Sequence, residues 1–566
     1  MNFIEDILSQ LKAAADTVIL QEIRDGQVMG VTGDALLELI RKARTFLVSK
    51  QLKRGDRCGL LAPNSIRWVA MDLAIMAEGL IAVPLYSRQA PAELVTMMKD
   101  CTPSLVCCGD IALRDRIRQS WPDAPEHFLF DEIFISADVK GVALDRLQVG
   151  DGDPVAIIYT SGTSGEAKGV VLTAANVGFM LGCTSDRLDR LMRGQSGQGQ
   201  SNQGQSGQGR SSQDRVFHYL PFSFCASWIA LLTFLMRRSL LTLNTDLTKI
   251  AGDLPAVAPD YFLNVPQLLE RMRRGIDEQL EKTGGIGLAI YSRAKGAWTR
   301  RQEKLPVSGD GMWLSLASAL VFPKIRAKMA GPGLKALICG SAPLSPETQL
   351  YFQMLGVPVL QVYGLTETTA ICTMDDPQHV EPGRVGPAIS GIEMRLGENE
   401  EMIVRGPNVF PGYWNRPQQT AEVLRDGWFH TGDQGEMDAS GNWRIVGRIK
   451  NLIVLGSGHK ISPEAIEDEI ARALPSAQQV VVIGNGRGYL SAIVTGAVTR
   501  PQVQAALDAV NPQLPHYKQV RAFHLRTEPF SIDEGTLTVN GKLKRDLIAS
   551  RMNREIEEIY RAVKTA

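Results

Sequence analysis

A short apolar run at residues 155–158 leads directly into the segment YTSGTSGEAKGV, residues 159–170. This segment places three glycines and four short hydroxyl side chains around one lysine, so it holds little that could fill a core. Glycine allows the backbone to approach a ligand closely, and successive N–H groups can converge on an anion. The hydroxyl groups and the ammonium group also suit phosphate oxygens. The segment therefore predicts a buried strand that ends in a phosphate-binding loop; a long hairpin-like surface turn is the alternative.

The loop does not follow two common phosphate-binding patterns. A Walker A loop requires Ser or Thr directly after its lysine, whereas Lys168 is followed by Gly169. The G-x-G-x-x-G pattern of a dinucleotide fold does not occur at this position either. The kind of nucleotide site must therefore be inferred from the rest of the chain.

Apolar strands that end in small or hydroxylated residues recur along the sequence. Examples are CGLLAP at 58–63, LKALICGSAPLSP at 334–346 and VPVLQVYGLTE at 357–367. Helical patterns alternate with such strands in the first 150 residues, which predicts an α/β fold with covered sheets. A chain of 566 residues is also longer than one hydrophobic core usually supports. We therefore expect a large N-terminal domain of α/β subdomains.

The last third of the chain changes character. Residues 391–446 are rich in strand patterns, which predicts a small β-rich subdomain. Ser462 followed by Pro463 predicts a helix start, and the final hundred residues have the pattern of a small α+β domain that closes on an amphipathic helix. We place the N-terminal domain at 1–448 and a mobile C-terminal domain at 449–566.

Residues 194–213 form a tandem repeat, GQSGQGQSNQ followed by GQSGQGRSSQ. Because the repeat contains no apolar residue, it cannot bury surface to offset the entropy of ordering. We interpret it as a disordered insertion that acts as a flexible spacer, with a polar interaction tract as the alternative.

Overall composition excludes several classes of protein. Lys and Arg total 61 and balance 61 Asp and Glu, so there is no net field that favours nucleic acid. The eight cysteines form no CxxC pair, which favours reduced thiols over disulfides or a zinc site. No apolar run approaches the roughly 20 residues of a membrane span. We expect a cytoplasmic protein. The sequence does not distinguish between a protein that stays in solution and one that also binds the membrane surface.

Six segments together resemble the adenylate-forming superfamily, which contains acyl-CoA synthetases, luciferases and adenylation domains of peptide synthetases. They are YTSGTSGEAKGV (159–170), GSAPL (340–344), YGLTE (363–367), WFHTGD (428–433), GRIKNLIVLGSG (447–458) and NGKLKRD (540–546). Each segment alone has a structural explanation, such as a turn cap or a core aromatic residue. Six in the family's order and spacing are specific, and the resemblance runs from about residue 30 to the C-terminus.

The resemblance implies a site for ATP. The loop at 159–170 would cover the β- and γ-phosphates through Thr160, Ser161, Gly162, Thr163, Ser164, Gly165 and Lys168. Gly340, Ser341 and Ala342 would line the adenine, and Tyr363 would stack on its ring. Asp433 would accept both ribose hydroxyl groups, with Arg448 as a second ribose contact.

The resemblance also implies the reacting groups. Thr366 would approach the α-phosphate, Glu367 would hold Mg²⁺, and Lys542 would bridge the substrate carboxylate and the α-phosphate. This chemistry brings an anionic carboxylate onto an anionic phosphorus, so cations must neutralise the charge that moves toward pyrophosphate. The acyl-AMP would then be attacked by the thiol of coenzyme A after a domain rotation about Lys450.

The acid is indicated by softer similarities. The segment EGTLTVNGKLKRDLI and the helical material at 272–330 resemble long-chain acyl-CoA synthetases. Trp228 stands where some of those enzymes place an aromatic gate, although packed core is the commoner role of such a residue. Phe224 stands where the family usually has a histidine that touches the substrate carboxylate, which puts acid specificity and rate in doubt.

The sequence therefore predicts a ligase that activates a medium- to long-chain fatty acid through acyl-AMP to acyl-CoA, with release of AMP and pyrophosphate. The expected small molecules are ATP, Mg²⁺, coenzyme A and the fatty acid. Three alternatives stay open: a fatty acyl-AMP ligase that loads an acyl carrier protein, an aryl-CoA ligase, and a nucleotide-binding pseudoenzyme.

Overall fold

We describe the protein from a computed structural model that covers residues 2–136, 149–161, 167–193, 213–531, 533–537 and 542–562. The predicted insertion at 194–213 lies outside these ranges except for Gln213. Within the described ranges, none of the helices is both long and apolar enough to cross a bilayer.

The first part of the chain, up to residue 193, alternates helices and strands. The helices are α1 (Phe3–Ala13), α2 (Gly33–Ser49), α3 (Ile66–Ala77), α4 (Pro91–Cys101), α5 (Ile111–Ser120), α6 (Phe130–Ser136) and α7 (Ala174–Arg193). The strands are β1 (Val18–Arg24), β2 (Gln27–Thr32), β3 (Arg57–Leu61), β4 (Ile81–Leu85), β5 (Leu105–Cys108), β6 (His127–Leu129), β7 (Pro154–Ser161) and β8 (Ala167–Thr173).

The alternation continues to residue 374, with more helix between the strands. The strands are β9 (Arg215–His218), β10 (Leu240–Asn244), β11 (Tyr261–Asn264), β12 (Ala336–Cys339), β13 (Val359–Tyr363) and β14 (Thr373–Met374). The helices are α8 (Cys225–Met236), α9 (Ile250–Val257), α10 (Pro266–Thr283), α11 (Gly285–Gln302), α12 (Asp310–Leu320), α13 (Phe322–Ala330) and α14 (Pro346–Met354).

Two mostly parallel sheets result. Within the described residues their strand orders are β6-β5-β3-β4-β7-β8 and β14-β13-β12-β11-β9-β10-β1-β2. Neighbouring strands are parallel except at the edge pairs β7–β8, β1–β2 and β13–β14. A parallel sheet is stable when both of its faces are covered by other elements. Helices α3 and α8 are almost wholly buried, and their apolar side chains belong to the same hydrophobic cluster as side chains of the strands.

A β-rich subdomain follows. Its elements are β15 (Glu393–Leu396), β16 (Glu401–Arg405), α15 (Pro417–Val423), β17 (Leu424–Arg425), β18 (Trp428–Met437) and β19 (Trp443–Arg448). The pairing order is β15-β16-β18-β17, with β19 antiparallel to β18. That hairpin sets Asp433 directly opposite Arg448.

The C-terminal domain has its own core. Its strands are β20 (Ile453–Val454), β21 (Lys460–Ile461), β22 (Gln479–Ile483), β23 (Leu490–Thr495) and β24 (Val520–Arg526), and its helices are α16 (Pro463–Ala473), α17 (Arg500–Val510), α18 (Arg545–Arg551) and α19 (Asn553–Ala562). Ile466 and Ile470 on α16 are buried against β22 and β23. The predicted fold class, a large α/β region with a β-rich subdomain and a small α+β C-terminal domain, is confirmed.

The end of the chain differs from the sequence pattern in one respect. The pattern predicts one closing helix, whereas the structure ends α18 at Arg551 and starts α19 at Asn553. Met552, between them, leaves helical geometry and is buried. The change of direction lets Ile548 before it and Ile556 after it pack into the same apolar cluster.

Candidate active site

The predicted phosphate loop lies at the end of an antiparallel edge hairpin. Strands β7 and β8 pair Thr160 with Lys168 and Ser161 with Ala167. Gly162, Thr163, Ser164 and Gly165 lie outside the described residues. Because the two described strand ends face each other, the hairpin itself is compatible with both the surface-turn and the phosphate-loop interpretation.

Gly169, on β8 of the hairpin, is a position with no room for a side chain. A Cβ atom there would lie 2.7 Å from the Ile157 side chain and 3.2 Å from the Tyr159 ring. The carbonyl of Gly169 also accepts a hydrogen bond from the Trp414 amide at 2.8 Å. The hairpin is therefore held against the segment that precedes the β-rich subdomain's helix α15.

Tyr413 lies between two of the predicted site residues and was missed by the sequence reasoning. Its hydroxyl donates to Oε1 of Glu367 at 2.7 Å. The Lys168 ammonium lies 5.0 Å from the centre of its ring, and its backbone bridges to Val170 of β8. One aromatic side chain thus links the β7–β8 hairpin to Glu367. A tyrosine in the sequence GYWN carries no signal for this contact, because the contact spans 46 residues.

The carboxyl ends of β12 and β13 bring the two adenine-associated segments together. Gly340 directly follows β12 and is buried, and a Cβ atom there would meet the Val362 side chain at 2.7 Å and its carbonyl oxygen at 3.1 Å. Gly364 is equally constrained, since a Cβ atom would lie 2.2 Å from the Ala370 carbonyl oxygen. These two glycines allow neighbouring strand ends to approach closely, and they position 340–342 beside Tyr363.

Positive φ angles cluster at the same edge. Ser341 has φ 74°, and Ala342 follows it on the exposed side of the loop. Thr369 and Ala370, just after the short 3₁₀ turn Thr366–Thr368, have φ 50° and 85°. Non-glycine residues in this region are held there only by their surroundings, and such backbone strain concentrates at functional sites.

Asp433 is the most buried charged group of the predicted ribose site. Its Oδ2 accepts from the Tyr363 hydroxyl at 2.8 Å, and its Oδ1 lies 2.7 Å from Nε of Arg448. Burial raises the pKa of Asp433, while the Arg448 cation and the Tyr363 hydrogen bond oppose that rise. The three predicted nucleotide contacts therefore form one connected cluster, with the Asp433 carboxylate at its centre.

Lys542, from the C-terminal domain, lies close to this cluster. Lys542 is an exposed residue, yet desolvation by the protein around its ammonium group lowers its pKa, and the Arg448 cation lowers it further, whereas Asp433 and Glu367 raise it. Since these charges act on one ammonium group, the structure brings Lys542 to the same cleft as Glu367 and Asp433. Lys542 belongs to the last thirty residues, so its position along the chain does not indicate that it lies near Glu367 and Asp433.

Lys450, the predicted hinge residue, lies in the short 3₁₀ turn Ile449–Asn451 that follows β19. Desolvation lowers the pKa of Lys450 to about 8, and the Arg448 cation contributes to the decrease. The turn is the first backbone after the β-rich subdomain, so it connects that subdomain to the C-terminal domain.

The two predicted acid-binding residues lie at the start of helix α8. Phe224 is the residue before the helix, and its ring lies 5.8 Å from that of Tyr86. Trp228 is fully buried, and its indole N–H donates to Oδ2 of Asp72 at 2.9 Å. A role of Trp228 at a substrate tunnel stays a prediction, because its visible partners are core residues.

The predicted Mg²⁺ ligand, Glu367, is compatible with the known preferences of that ion. Within the described residues there is no cluster of three or more side chains of the types that ligate metals. Mg²⁺ is commonly held by one or two carboxylates together with substrate phosphates and water, so a single carboxylate that Tyr413 links to the β7–β8 hairpin is a donor set that fits it.

Comparison with protein families gives two matches that cover most of the chain. The AMP-binding enzyme family matches residues 10–414, and the C-terminal domain of AMP-binding enzymes matches residues 450–564.

Two similar proteins are named as fatty-acid–CoA ligases. The long-chain-fatty-acid–CoA ligase FadD15 of Mycobacterium tuberculosis is 27% identical over 96% of this chain and 94% of its own. The long-chain-fatty-acid–CoA ligase ACSBG2 of Rattus norvegicus is 24% identical over 92% of this chain and 87% of its own.

Solved structures agree with the fold. ATP-bound MatB from Rhodopseudomonas palustris superposes with a TM-score of 0.72 at 24% identity, over 98% of this chain and 99% of its own. A fatty acyl CoA synthetase from Mycobacterium tuberculosis superposes with a TM-score of 0.65 at 21% identity, over 97% of this chain and 98% of its own. Likeness at this level of identity supports the shared architecture of the two domains.

Proposed function

Because the chain belongs to the AMP-binding enzyme family, we propose that it activates a medium- to long-chain fatty acid through acyl-AMP and transfers the acyl group to coenzyme A. Its class is that of the acid–thiol ligases, the class of the relatives that it matches over most of their length. The fatty acid and the thiol acceptor are the parts that we propose.

The observation that carries the proposal is the convergence of charged side chains from distant segments on one cleft. Tyr413 links Lys168 to Glu367, and the charges of Glu367 and Asp433 both act on Lys542. An anionic acid that reacts with a polyphosphate needs cations on both sides of the reacting phosphorus. This arrangement supports adenylation better than simple nucleotide storage, which needs no lysine from a second domain.

In the proposed first step, a carboxylate oxygen of the acid forms a bond to the α-phosphorus, and the bond from that phosphorus to pyrophosphate breaks. Lys542 orients the carboxylate and the α-phosphate, while Lys168 faces the departing pyrophosphate. Asp433 and Tyr363 fix the nucleoside end. Mg²⁺ held by Glu367 and the phosphates would supply additional positive charge at the polyphosphate.

In the proposed second step, the sulfur of coenzyme A attacks the acyl carbon, and AMP leaves with the bonding electrons of the acyl–oxygen bond. The lysine that serves the first step is no longer needed once pyrophosphate has left. A turn such as Ile449–Asn451 between the two domains is where the chain would rotate to admit the thiol.

The proposal is tested by pyrophosphate release with a panel of carboxylic acids, with and without coenzyme A. We expect release that depends on C12–C18 acids and yields a thioester when coenzyme A is present. Accumulation of acyl-AMP without thioester would instead indicate a fatty acyl-AMP ligase. A preference for aromatic acids would indicate an aryl-CoA ligase, and ATP binding without release on any acid would indicate a pseudoenzyme.

A further inference from the structure

The helical excursion between β11 and β12 carries an unusual surface. We call it the α11–α12 surface, and it consists of α11, the connection 303–309 and α12. Residues 311–323, GMWLSLASALVFP, contain no charged side chain, yet much of α12 faces solvent. A surface helix of a water-soluble domain normally carries charged residues on its outer face. The outer face of α12 carries Met312, Ser315 and Ala319 instead, at spacings of three and four residues.

Large apolar side chains are exposed across this surface. The exposed fractions are 81% for Ile286, 66% for Leu305, 59% for Val307, 61% for Met312 and 51% for Leu320. Below them, Trp298, Trp313 and Leu316 are partly buried against the core cluster of α9–α14. The inner face of the excursion therefore packs on the protein's own core. The exposed apolar residues on the outer face mark a candidate surface for contact with another molecule or with a membrane.

Positive charge surrounds the apolar residues. From residue 285 to 328 the chain carries eight Lys or Arg and two Asp or Glu, although the whole chain is balanced at 61 of each sign. One of the two acidic residues, Asp310, is already paired with Arg300. The exposed cations are Arg293, Arg301, Lys304, Lys324 and Lys328. Arg301 and Lys304 precede the uncharged segment 311–323, and Lys324 and Lys328 follow it, so positive charge lies at both ends of that segment.

We propose that the α11–α12 surface docks on an anionic lipid bilayer. Apolar side chains interspersed with small ones enter the interface between headgroups and acyl chains, while Lys and Arg at the rim are attracted to acidic headgroups. Neither helix of this surface, as described, is both long and apolar enough to span a bilayer. A second copy of this chain is a poorer occupant, because two like surfaces would bring their cations together.

This inference goes beyond the proposed function and does not depend on it. Its measurement is binding to vesicles without ATP, fatty acid or coenzyme A. Failure of fatty-acid activation would leave it standing, and failure of vesicle binding would leave the ligase reaction standing.

The test is co-flotation of the full chain with vesicles of phosphatidylcholine alone and with about 30 mol% phosphatidylglycerol added. The test variant is Met312→Glu with Leu320→Glu. The matched control is Val28→Glu with Met437→Glu, because these side chains are 58% and 54% exposed and belong to β2 and β18, which are not part of the α11–α12 surface. A third variant, Arg301→Gln with Lys304→Gln, removes charge without touching apolar surface.

We expect the wild type and the control to bind the anionic vesicles and to bind neutral vesicles weakly. The Met312/Leu320 variant should bind the anionic vesicles at least about tenfold more weakly. The Arg301/Lys304 variant should lose much of the difference between the two vesicle types. Circular dichroism and pyrophosphate release should be unchanged in all variants, since none of these residues lies in the candidate active site.

Three results would overturn the proposal. The first is a wild type that floats with neither vesicle type, and the second is a Val28/Met437 control that loses as much binding as the test variant. The third is a wild-type dimer, seen by light scattering, that becomes a monomer in the Met312/Leu320 variant. That last result would assign the surface to self-association.

Discussion

Among single residues, Tyr413 makes contacts with Glu367 and Lys168 that the sequence motifs did not predict. Its hydroxyl holds Glu367 while its ring lies beside the Lys168 ammonium, so one side chain orients two groups of opposite charge. Groups that orient a metal ligand commonly affect activity about 10- to 100-fold when they are lost. We regard Tyr413 as a positioning residue for the proposed adenylation step.

We predict that Tyr413→Phe lowers the rate of pyrophosphate release by about tenfold and raises the Mg²⁺ concentration needed for half-maximal rate. The ring stays, so contact with Lys168 is kept and only the hydrogen bond to Glu367 is lost. The matched control is Tyr291→Phe, because Tyr291 also donates to a carboxylate, Asp277, away from the cleft. An unchanged Mg²⁺ dependence in Tyr413→Phe would contradict the positioning role.

A second residue-scale feature is Asp72, which is completely buried on helix α3. One oxygen accepts from the Trp228 indole, and the other oxygen has no hydrogen-bond partner in the described structure. Desolvation raises the pKa of Asp72 to about 7, although the Trp228 hydrogen bond opposes this. The folded protein therefore holds Asp72 in its neutral form at a pH where the unfolded chain ionises it.

This difference predicts a pH dependence of stability. Because the folded pKa lies above the unfolded value of about 3.9, stability is full below pH 4 and falls as pH rises toward 7, by about 1.4 kcal/mol per pH unit. Relative to Asp72→Asn, the thermal midpoint of the wild type should fall between pH 5 and pH 7 and then change little. A constant difference between the two midpoints over this range would show that Asp72 does not titrate as inferred.

At the scale of elements, the short turn Ile449–Asn451 matters because it joins two units with separate cores. The β-rich subdomain ends at Arg448, which is tied to Asp433, and the C-terminal core begins with Ile453. Few residues are therefore available to absorb a rotation between the two units. A turn of this length can act as a hinge only if its φ and ψ angles are free to change.

We predict that Lys450→Pro leaves acyl-AMP formation nearly intact and strongly impairs thioester formation. Proline fixes φ at position 450 and restricts the residue before it, so the rotation that the thiol step needs is blocked. The control is Lys450→Ala, which removes the charge and leaves φ free. Both half-reactions should be measured separately, by pyrophosphate release and by thioester formation from supplied acyl-AMP. Equal loss of both would count against a hinge.

At the scale of the whole molecule, the cleft is assembled from both domains. Lys542 belongs to the C-terminal domain, yet its pKa is shifted by the charges of Arg448, Asp433 and Glu367, which precede that domain in the chain. The described arrangement is therefore the one that the proposed adenylation step requires. The thioester step would need a different arrangement of the same two domains.

We predict that Lys542→Ala lowers adenylation about 10²- to 10³-fold, because a charge contact to the reacting groups is lost. Thioester formation from supplied acyl-AMP should be spared. Lys544→Ala is the matched control, since it removes a cation two residues away in the same segment, NGKLKRD. Should Lys542→Ala retain the full adenylation rate, the assigned role would be wrong.

Local features of this protein can be predicted from its amino-acid sequence. Apolar runs predicted strands β3, β7, β12 and β13, and Ser462 with Pro463 predicted the start of α16. The six motifs indicated the family and the order of its parts. These features are encoded by periodicity and turn chemistry over a few residues, so they need no knowledge of the fold.

The contacts between distant segments depend on the fold of the whole chain. Ser462 directly precedes α16 as predicted, yet its hydroxyl donates to Oε1 of Gln434 on β18 and accepts no hydrogen bond from the backbone N–H groups of its own helix. Tyr413 reaches Glu367, and Trp228 reaches Asp72 across 156 residues. Such contacts depend on strand order and on the packing between sheets. A side chain's neighbours along the sequence do not specify its partners across a core, so the connections of the cleft had to be observed in the folded chain.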